Sequence, residues 1–228
     1  MAVTVYDQSR RVLGGLSVGS LTASGLPVFG SIAPSGKVWF GDVTNGKDTN
    51  SGRRADKAFK TIGKVLTKAG ANDAVALWPG EYPENDLVVA ATQPNLTFIG
   101  LGGRGAAYIK PAGTNQTALT VNARDVSLVN VGLEGKGTGG GLVNTGRRLR
   151  CHACKIEGGA LALQLKGDTV GNGDSSDCLF EDCEIAWATK GVELKVAAAN
   201  AVTVTQTKFK RCEFHNLSTA SFAESGVA

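Results

Sequence analysis

Histidine occurs twice, methionine once and proline six times in 228 residues, against 31 glycines. That imbalance argues against a helical bundle and for a turn-rich fold. No stretch approaches the roughly 18 consecutive apolar residues that a membrane span needs, and the N-terminal MAVTVYDQSRR lacks a basic region followed by an apolar run. The expectation is therefore a chain kept soluble in the cytoplasm, or exported without such a leader. An excess of one charge sign is also missing: 24 basic against 20 acidic residues leave +4, with no basic patch to hold a nucleic acid. The five cysteines form no paired spacing, and Cys151 and Cys154 with only His152 and His215 nearby make a poor zinc set. Reduced thiols are expected. With 42% apolar residues the chain still has enough to bury a core, so disorder is excluded as a global state.

Residues 1–36 differ from the remainder. After Val12 they read LGGLSVGSLTASGLPVFGSIAPSG, low in charge and rich in Gly, Ser and Ala. Such a segment cannot bury enough surface to fold alone, yet Leu13, Leu16, Val18, Leu21, Leu26, Val28 and Phe29 punctuate it. An extended arm that docks on a partner is the reading, with those apolar residues as its contacts. From Lys37 the pattern changes to a strand, a polar turn run and a helical stretch, TIGKVLTKAG. Thr61 is its expected N-cap, Ile62, Val65, Leu66 and Ala69 its buried face, and Gly70 its stop. The segment 37–74 thus reads as an opening strand, a loop and a capping helix, and 75–228 as short strands separated by Gly, Asn and Asp turns. No helix-length gap separates consecutive strands, which excludes βαβ topology.

The strands repeat. LVNVGL (128–133), CHACKI (151–156), FEDCEI (180–185) and FKRCEF (209–214) align without gaps. The first column holds Leu128, Cys151, Phe180 and Phe209, the fourth Val131, Cys154, Cys183 and Cys212, and the sixth Leu133, Ile156, Ile185 and Phe214. An earlier copy, FIGL, places Phe98 in the first column and Leu101 in the fourth. Steps of 30, 23, 29 and 29 residues suit three short strands and three turns, one rung of a parallel β-helix whose equivalent residues stack at about 4.8 Å. Columns two and three, with His152, Glu181 and Lys210 beside Ala153, Asp182 and Arg211, should face solvent and alternate in charge between rungs.

The segment 38–82 carries further motifs: Asn45-Gly46-x-Asp48-x-Asn50-Ser51-Gly52, Phe59-Lys60-Thr61-Ile62 and Pro79-Gly80-x-Tyr82. It resembles the N-terminal part of right-handed parallel β-helix proteins of the pectate-lyase-like superfamily. Ala58, where proline is usual, and Asn72-Asp73-Ala74, where Gly-Asp-Thr is common, depart from that pattern. With the repeat, the resemblance covers residues 38 to about 216. It implies an all-β fold, a right-handed parallel β-helix with an N-terminal capping helix, which the extended N-terminal arm read from the composition of residues 1–36 precedes. The superfamily includes polysaccharide lyases and hydrolases, bacterial surface proteins, and bacteriophage tailspikes and fibres, so the fold does not choose among them.

Candidate chemistry is sparse. Asp42, Asn45, Asp48 and Asn50 offer alternating oxygen donors of the kind Ca²⁺ takes, although Asn, Asp and Gly are also ordinary turn residues and the spacing is not that of an EF-hand. The turn reading is preferred, and no cofactor is expected. Asp174, Asp177, Glu181, Asp182 and Glu184 form a second acidic group. For a depolymerase, Glu181 and Asp182 would supply carboxylates and Lys210 or Arg211 the base; the same four residues also fit a salt ladder between rungs. The stacked cysteines read as interior packing, and GLGGRG (100–105) as a rung turn. Two of the three tryptophans, Trp39 and Trp78, sit in expected strands and should be packed. The far end of the coil lacks a plug, since NLSTASFAESGVA follows the last repeat. Together with the arm and the resemblance, this points to a structural or adsorption subunit of a bacteriophage virion, a tailspike, tail-fibre or head-fibre protein. It would form a homotrimer, assemble in the host cytoplasm, bind other virion proteins through residues 1–36 and touch host surface glycan. A polysaccharide lyase or glycoside hydrolase is the alternative, and a bacterial adhesion protein the third reading.

Overall fold

A computed structural model describes residues 36–167, 175–196 and 204–225. The arm, with Leu13, Leu16, Leu21, Leu26, Val28 and Phe29, lies outside the described residues, as does Asp174. Strand β1 (Val38–Gly41) leads through a 3-10 turn (Ala55–Lys57) and helix α1 (Ile62–Leu66) into six three-stranded rungs. These are β2 (Ala74–Leu77), β3 (Gly80–Tyr82) and β4 (Leu87–Val89); then β5 (Thr97–Gly100), β6 (Ala107–Ile109) and β7 (Leu119–Val121). Next come β8 (Ser127–Val129), β9 (Val131–Gly135) and β10 (Gly140–Asn144), and β11 (Arg150–His152), β12 (Lys155–Gly158) and β13 (Leu161–Gly167). The last two rungs are β14 (Leu179–Glu181), β15 (Glu184–Ala186) and β16 (Lys190–Val196), and β17 (Lys208–Lys210), β18 (Glu213–His215) and β19 (Ala220–Ser225).

Each strand pairs in parallel with its equivalent one rung away, giving one seven-stranded and two six-stranded sheets. Sheet I is β1-β2-β5-β8-β11-β14-β17, sheet II is β3-β6-β9-β12-β15-β18 and sheet III is β4-β7-β10-β13-β16-β19. The register reproduces the sequence columns. Phe98, Leu128, Cys151, Phe180 and Phe209 face one another across sheet I, and Leu133, Ile156, Ile185 and Phe214 across sheet II. Both columns reach further than the alignment traced them, to Val75 and Trp39 in the first and to Ile109 and Tyr82 in the sixth. Leu101 does not occupy the fourth column. Ala107 pairs with Val131 instead, and Leu101 opens an inserted turn between β5 and β6.

Left-handed residues make the corners. Asn130, Ala153, Asp182 and Arg211, all at φ between 50° and 57°, turn the chain from sheet I to sheet II. Asn72, Asn95, Asp125, Arg148, Asp177 and Gln206, at φ between 56° and 65°, do the same before sheet I. The amide of each corner reaches the carbonyl side of the next rung's corner, as from Ala153 N–H to Glu181 O (3.0 Å) and Asp182 N–H to Lys210 O (3.0 Å). The buried interior runs continuously from Trp39, Ile62 and Val65 through Phe98 and Leu128 to Phe180 and Val192.

Helix α1 covers the first rung with the fully buried Ile62 and Val65. Thr61 is its N-cap, accepting from Lys64 N–H at 3.2 Å as expected. The helix ends at Leu66 with Thr67 as C-cap, short of Gly70. The reason is a side chain rather than a glycine: the Gln93 amide donates to the carbonyls of Leu66 (2.9 Å) and Ala69 (2.8 Å). Glu84 closes the other end, accepting from Ile62 N–H (2.5 Å) and Gly63 N–H (2.6 Å).

Candidate functional site

The oxygen-rich loop spends its donors on its own backbone. Asp42 Oδ1 accepts from Thr44 N–H and Asn45 N–H, both at 2.9 Å, and its Oδ2 accepts from the Asn45 amide at 3.2 Å. Asp48 accepts from Lys60 N–H (2.9 Å), Thr61 N–H (3.0 Å) and the Thr61 hydroxyl (2.9 Å), while the Asn50 amide donates to Ala58 O at 2.9 Å. These contacts fasten the loop to the start of α1. Among the described residues no group of three His, Cys, Asp or Glu side chains is placed to hold a metal ion.

Glu181, Asp182 and Arg211 do come together, as a ladder. Arg211 grips Asp182 through two hydrogen bonds (2.7 and 2.9 Å) and Glu181 through a third (2.9 Å). The guanidinium holds the Asp182 carboxyl below the usual carboxylate range. Lys210 is exposed and stands in register beside Glu181. His152 approaches Asp182 at 3.7 Å. A carboxylate clamped this way is a poor proton acceptor, so the geometry is that of a rung-to-rung tie.

The cysteine column is interior at Cys154 and Cys183, as expected, and only partly buried at Cys212. The thiols of Cys154, Cys183 and Cys212 donate in turn to the carbonyls of Leu128 (3.3 Å), Cys151 (3.5 Å) and Phe180 (3.4 Å). Burial pushes the Cys154 thiol well up, and Cys183 is pushed up to about 12 by its bond with Cys154 and by burial. These are packing groups held as thiols. Of the tryptophans, Trp39 is buried, but Trp78 is 38% exposed because β2 ends at Leu77 and the corner turns it outward; Trp187 is 59% exposed.

The outer face of sheet II holds a constellation that the sequence reading did not single out. An open groove of about 420 Å³ is lined by Tyr108, Lys110, Glu134, Lys155 and Glu157, with the turn Arg104–Ala106 as one wall. Tyr108 projects from β6 and crosses Gly132 of the next rung, where a Cβ would sit 1.9 Å from its ring. Only glycine allows that approach. The Tyr108 hydroxyl donates to Glu157 two rungs on. Lys155 contacts Glu157 at 2.7 Å and stands 5.8 Å from the Tyr108 ring centroid. Lys110 reaches Glu134 at 3.3 Å and Glu81 at 3.8 Å. Glu134 and Glu157 are register partners on adjacent strands. Burial and the Glu157 carboxylate push the Tyr108 phenol well up, so it stays a neutral donor; Glu134 raises Lys110. The signal was in the alignment, one step beyond it. Columns five and seven, Gly132, Lys155 and Glu184 beside Glu134 and Glu157, flank the apolar sixth column and must point outward.

Rungs, ladders and capped start define the class: the chain has a parallel β-helix fold. No family model and no curated protein matches it. Solved structures similar to it include pectin methylesterase PemA from Erwinia chrysanthemi (16% identity, TM-score 0.48, over 73% of this chain and 57% of that one). A GH136 lacto-N-biosidase from Eubacterium ramulus (12%, 0.48, 82% and 43%) and a rhamnogalacturonan lyase (17%, 0.42, 85% and 63%) are also similar to it. The chain spans between 43% and 63% of the length of these three proteins. Among the described residues no helix is long and apolar enough to cross a membrane.

Proposed function

We propose that the protein is a structural and adsorption subunit of a bacteriophage particle, a homotrimeric tailspike, tail-fibre or head-fibre component. Residues 1–36 attach it to other virion proteins, and the outer β-helix surface meets host surface glycan. The observation that carries this reading over an enzymatic one is how the charges on the outer faces are used. Arg211 ties up Asp182 and Glu181, Lys110 holds Glu134, Lys155 holds Glu157, and the Tyr108 phenol is kept neutral. Groups neutralised pairwise are set to bind rather than to move protons. The apolar residues of the arm, Leu13 to Phe29, support the attachment, which the pectate-lyase-like resemblance admits.

A second reading, a polysaccharide lyase or glycoside hydrolase, is favoured by one feature. Glu134 and Glu157 are register partners on adjacent strands of one outer face, and glycosidases use a pair of carboxylates flanking the scissile bond. Two measurements decide. Deleting residues 1–36 should abolish incorporation into particles while the β-helix remains folded by circular dichroism; incorporation of the truncated protein sinks the anchoring idea. Light scattering should give a trimer, and incubation with host surface polysaccharide should release no reducing ends. A monomer that releases them establishes the enzymatic reading instead.

A further inference from the structure

We propose that the outer edge of β17, at the far end of sheet I, is a docking site for an extended strand of a partner protein that carries an apolar residue followed by two carboxylates. Among the described residues β17 is the last strand of its sheet, paired on one side only. Its side chains are open to solvent: Lys208, Lys210 and Arg211 are exposed, and Phe209 between them is half-buried. Phe209 stacks on Phe180 of the preceding rung, with centroids 4.8 Å and planes 12° apart. Phe222 of the same rung meets Phe209 edge-on at 5.5 Å and is 53% exposed, so the aromatic end of the coil keeps uncovered surface for one more apolar side chain.

The chemistry of the partner follows from an alternation that stops at this edge. Outward positions at the end of sheet I read His152 and Ala153, then Glu181 and Asp182, then Lys210 and Arg211. Glu181 and Asp182 have basic groups on both sides, His152 at 4.0 and 3.7 Å from the rung before and Arg211 at 2.9 and 2.7 Å from the rung after. Lys210 and Arg211 have carboxylates on one side alone. Arg211 commits Nε and Nη2 to Asp182 and Glu181, which leaves the two N–H groups of Nη1 for an acceptor beyond β17. Carboxylates on an incoming parallel strand continue the alternation at both positions. The backbone asks for the same strand. The corner amides of Asn130, Ala153 and Asp182 each donate at 3.0 Å to a carbonyl one rung on, and Arg211 N–H, next in that series, has no such carbonyl among the described residues. A residue seated over Arg211 takes a left-handed corner like that of Asp182 (φ 54°), which favours Asp there. Main-chain hydrogen bonds of this kind supply affinity for an added strand, and side chains select which one.

Phe180-Glu181-Asp182 is itself an apolar residue followed by two carboxylates, and it already lies against β17 from the other side, so its own segment is the probe. The full chain is titrated, by fluorescence anisotropy, with a labelled peptide of residues 178–186 in which Cys178→Ser and Cys183→Ser remove the thiols. A second peptide carries Glu181→Lys and Asp182→Lys in addition. Wild-type protein should bind the acidic peptide about tenfold more tightly than the basic one, by a margin that shrinks as salt is raised. Lys210→Glu in the protein should weaken the acidic peptide about fivefold, and a peptide with Glu181→Lys alone should regain that loss, which separates a lost contact from a lost fold. Hydrogen exchange with the acidic peptide bound should slow the amides of β17 and leave those of β3 and β4, at the other end, unchanged. Equal binding of the two peptides, absence of binding, or protection confined to β18 and β19 overturns the assignment. Self-association of the wild type that protects β17 without any peptide overturns it as well, since a second copy is then the occupant.

Discussion

Arg148 holds a left-handed backbone (φ 56°) one rung from Asp125 (φ 60°) and reaches back to it with two hydrogen bonds of 2.5 and 2.7 Å. The pair ties two corners together at the position where L-residues are least comfortable. Bidentate geometry makes it worth more than an ordinary surface ion pair, and both partners remain partly in solvent, which screens it. Arg148→Ala should therefore cost about 0.5–1 kcal/mol at pH 7, read as a shift in urea midpoint. The sign of its pH dependence follows from Asp125, whose carboxyl the Arg148 hydrogen bonds hold below the usual carboxylate range. A depressed acid contributes its stability above the unfolded-state value of about 3.9 and loses it as pH falls through the lower folded-state value. The gap between wild type and Arg148→Ala should thus persist down to about pH 4 and close below it. A gap that stays constant to the acid limit would show that Arg148 acts through packing instead. The corner columns were legible in principle, because Asn72, Asn95, Asp125, Asn130, Asp177 and Asp182 are the residue types that tolerate positive φ. Ala153, Arg148, Gln206 and Arg211 hid the pattern, since nothing in those side chains favours the conformation.

The first rung depends on a helix of five residues, too short to persist by propensity. Its stability comes from burial of Ile62 and Val65 and from side chains that satisfy both ends. Gln93 is the more informative of them. It is 7% exposed, donates to Leu66 O and Ala69 O, and accepts from Ala90 N–H at 2.8 Å. Gln93→Ala removes three hydrogen bonds around a buried helix end and should cost about 2–3 kcal/mol, measured by thermal or urea unfolding. A loss under about 0.5 kcal/mol would mean that water replaces the amide at this end. Sequence reasoning placed Thr61 correctly because an N-cap is a local choice between neighbouring residues. It placed the stop at Gly70 because the true cap arrives from 27 residues along the chain, after a complete turn of the coil. The same division holds for strands. Apolar columns are legible because register forces like onto like, whereas Leu101 was misassigned because an insertion between β5 and β6 breaks the copy length. The groove escaped because Tyr108, Lys155 and Glu157 belong to different rungs and carry no motif when read along the chain.

At the scale of the molecule, the two ends of the described coil are not alike. At the start, residues 52–59 run beside β1 and satisfy its outer edge, with Phe40 N–H donating to Gly52 O (2.8 Å), Phe59 N–H to Phe40 O (2.9 Å) and Asp42 N–H to Phe59 O (2.8 Å). Helix α1 covers the interior there. At the other end β17, β18 and β19 are each the outermost strand of their sheet. Phe209, Phe214 and Phe222, one from each strand, form a ring cluster with centroids 5.2–5.8 Å apart. Phe209 and Phe214 are only partly buried and Phe222 is 53% exposed. A coil of this kind is close to one-dimensional, since each rung contacts only its neighbours, and opening should therefore begin where one neighbour is missing. In native-state hydrogen exchange the amides of β17–β19 should exchange by local opening, those of β14–β16 more slowly, and those of β5, β8 and β11 only with global unfolding. Filling the end should reverse the gradient: a partner seated on the Phe209, Phe214 and Phe222 cluster would slow β17–β19 first. A single exchange rate across all six rungs of the isolated protein would show instead that the coil unfolds as one unit, and that the aromatic cluster alone is a sufficient seal for the last rung.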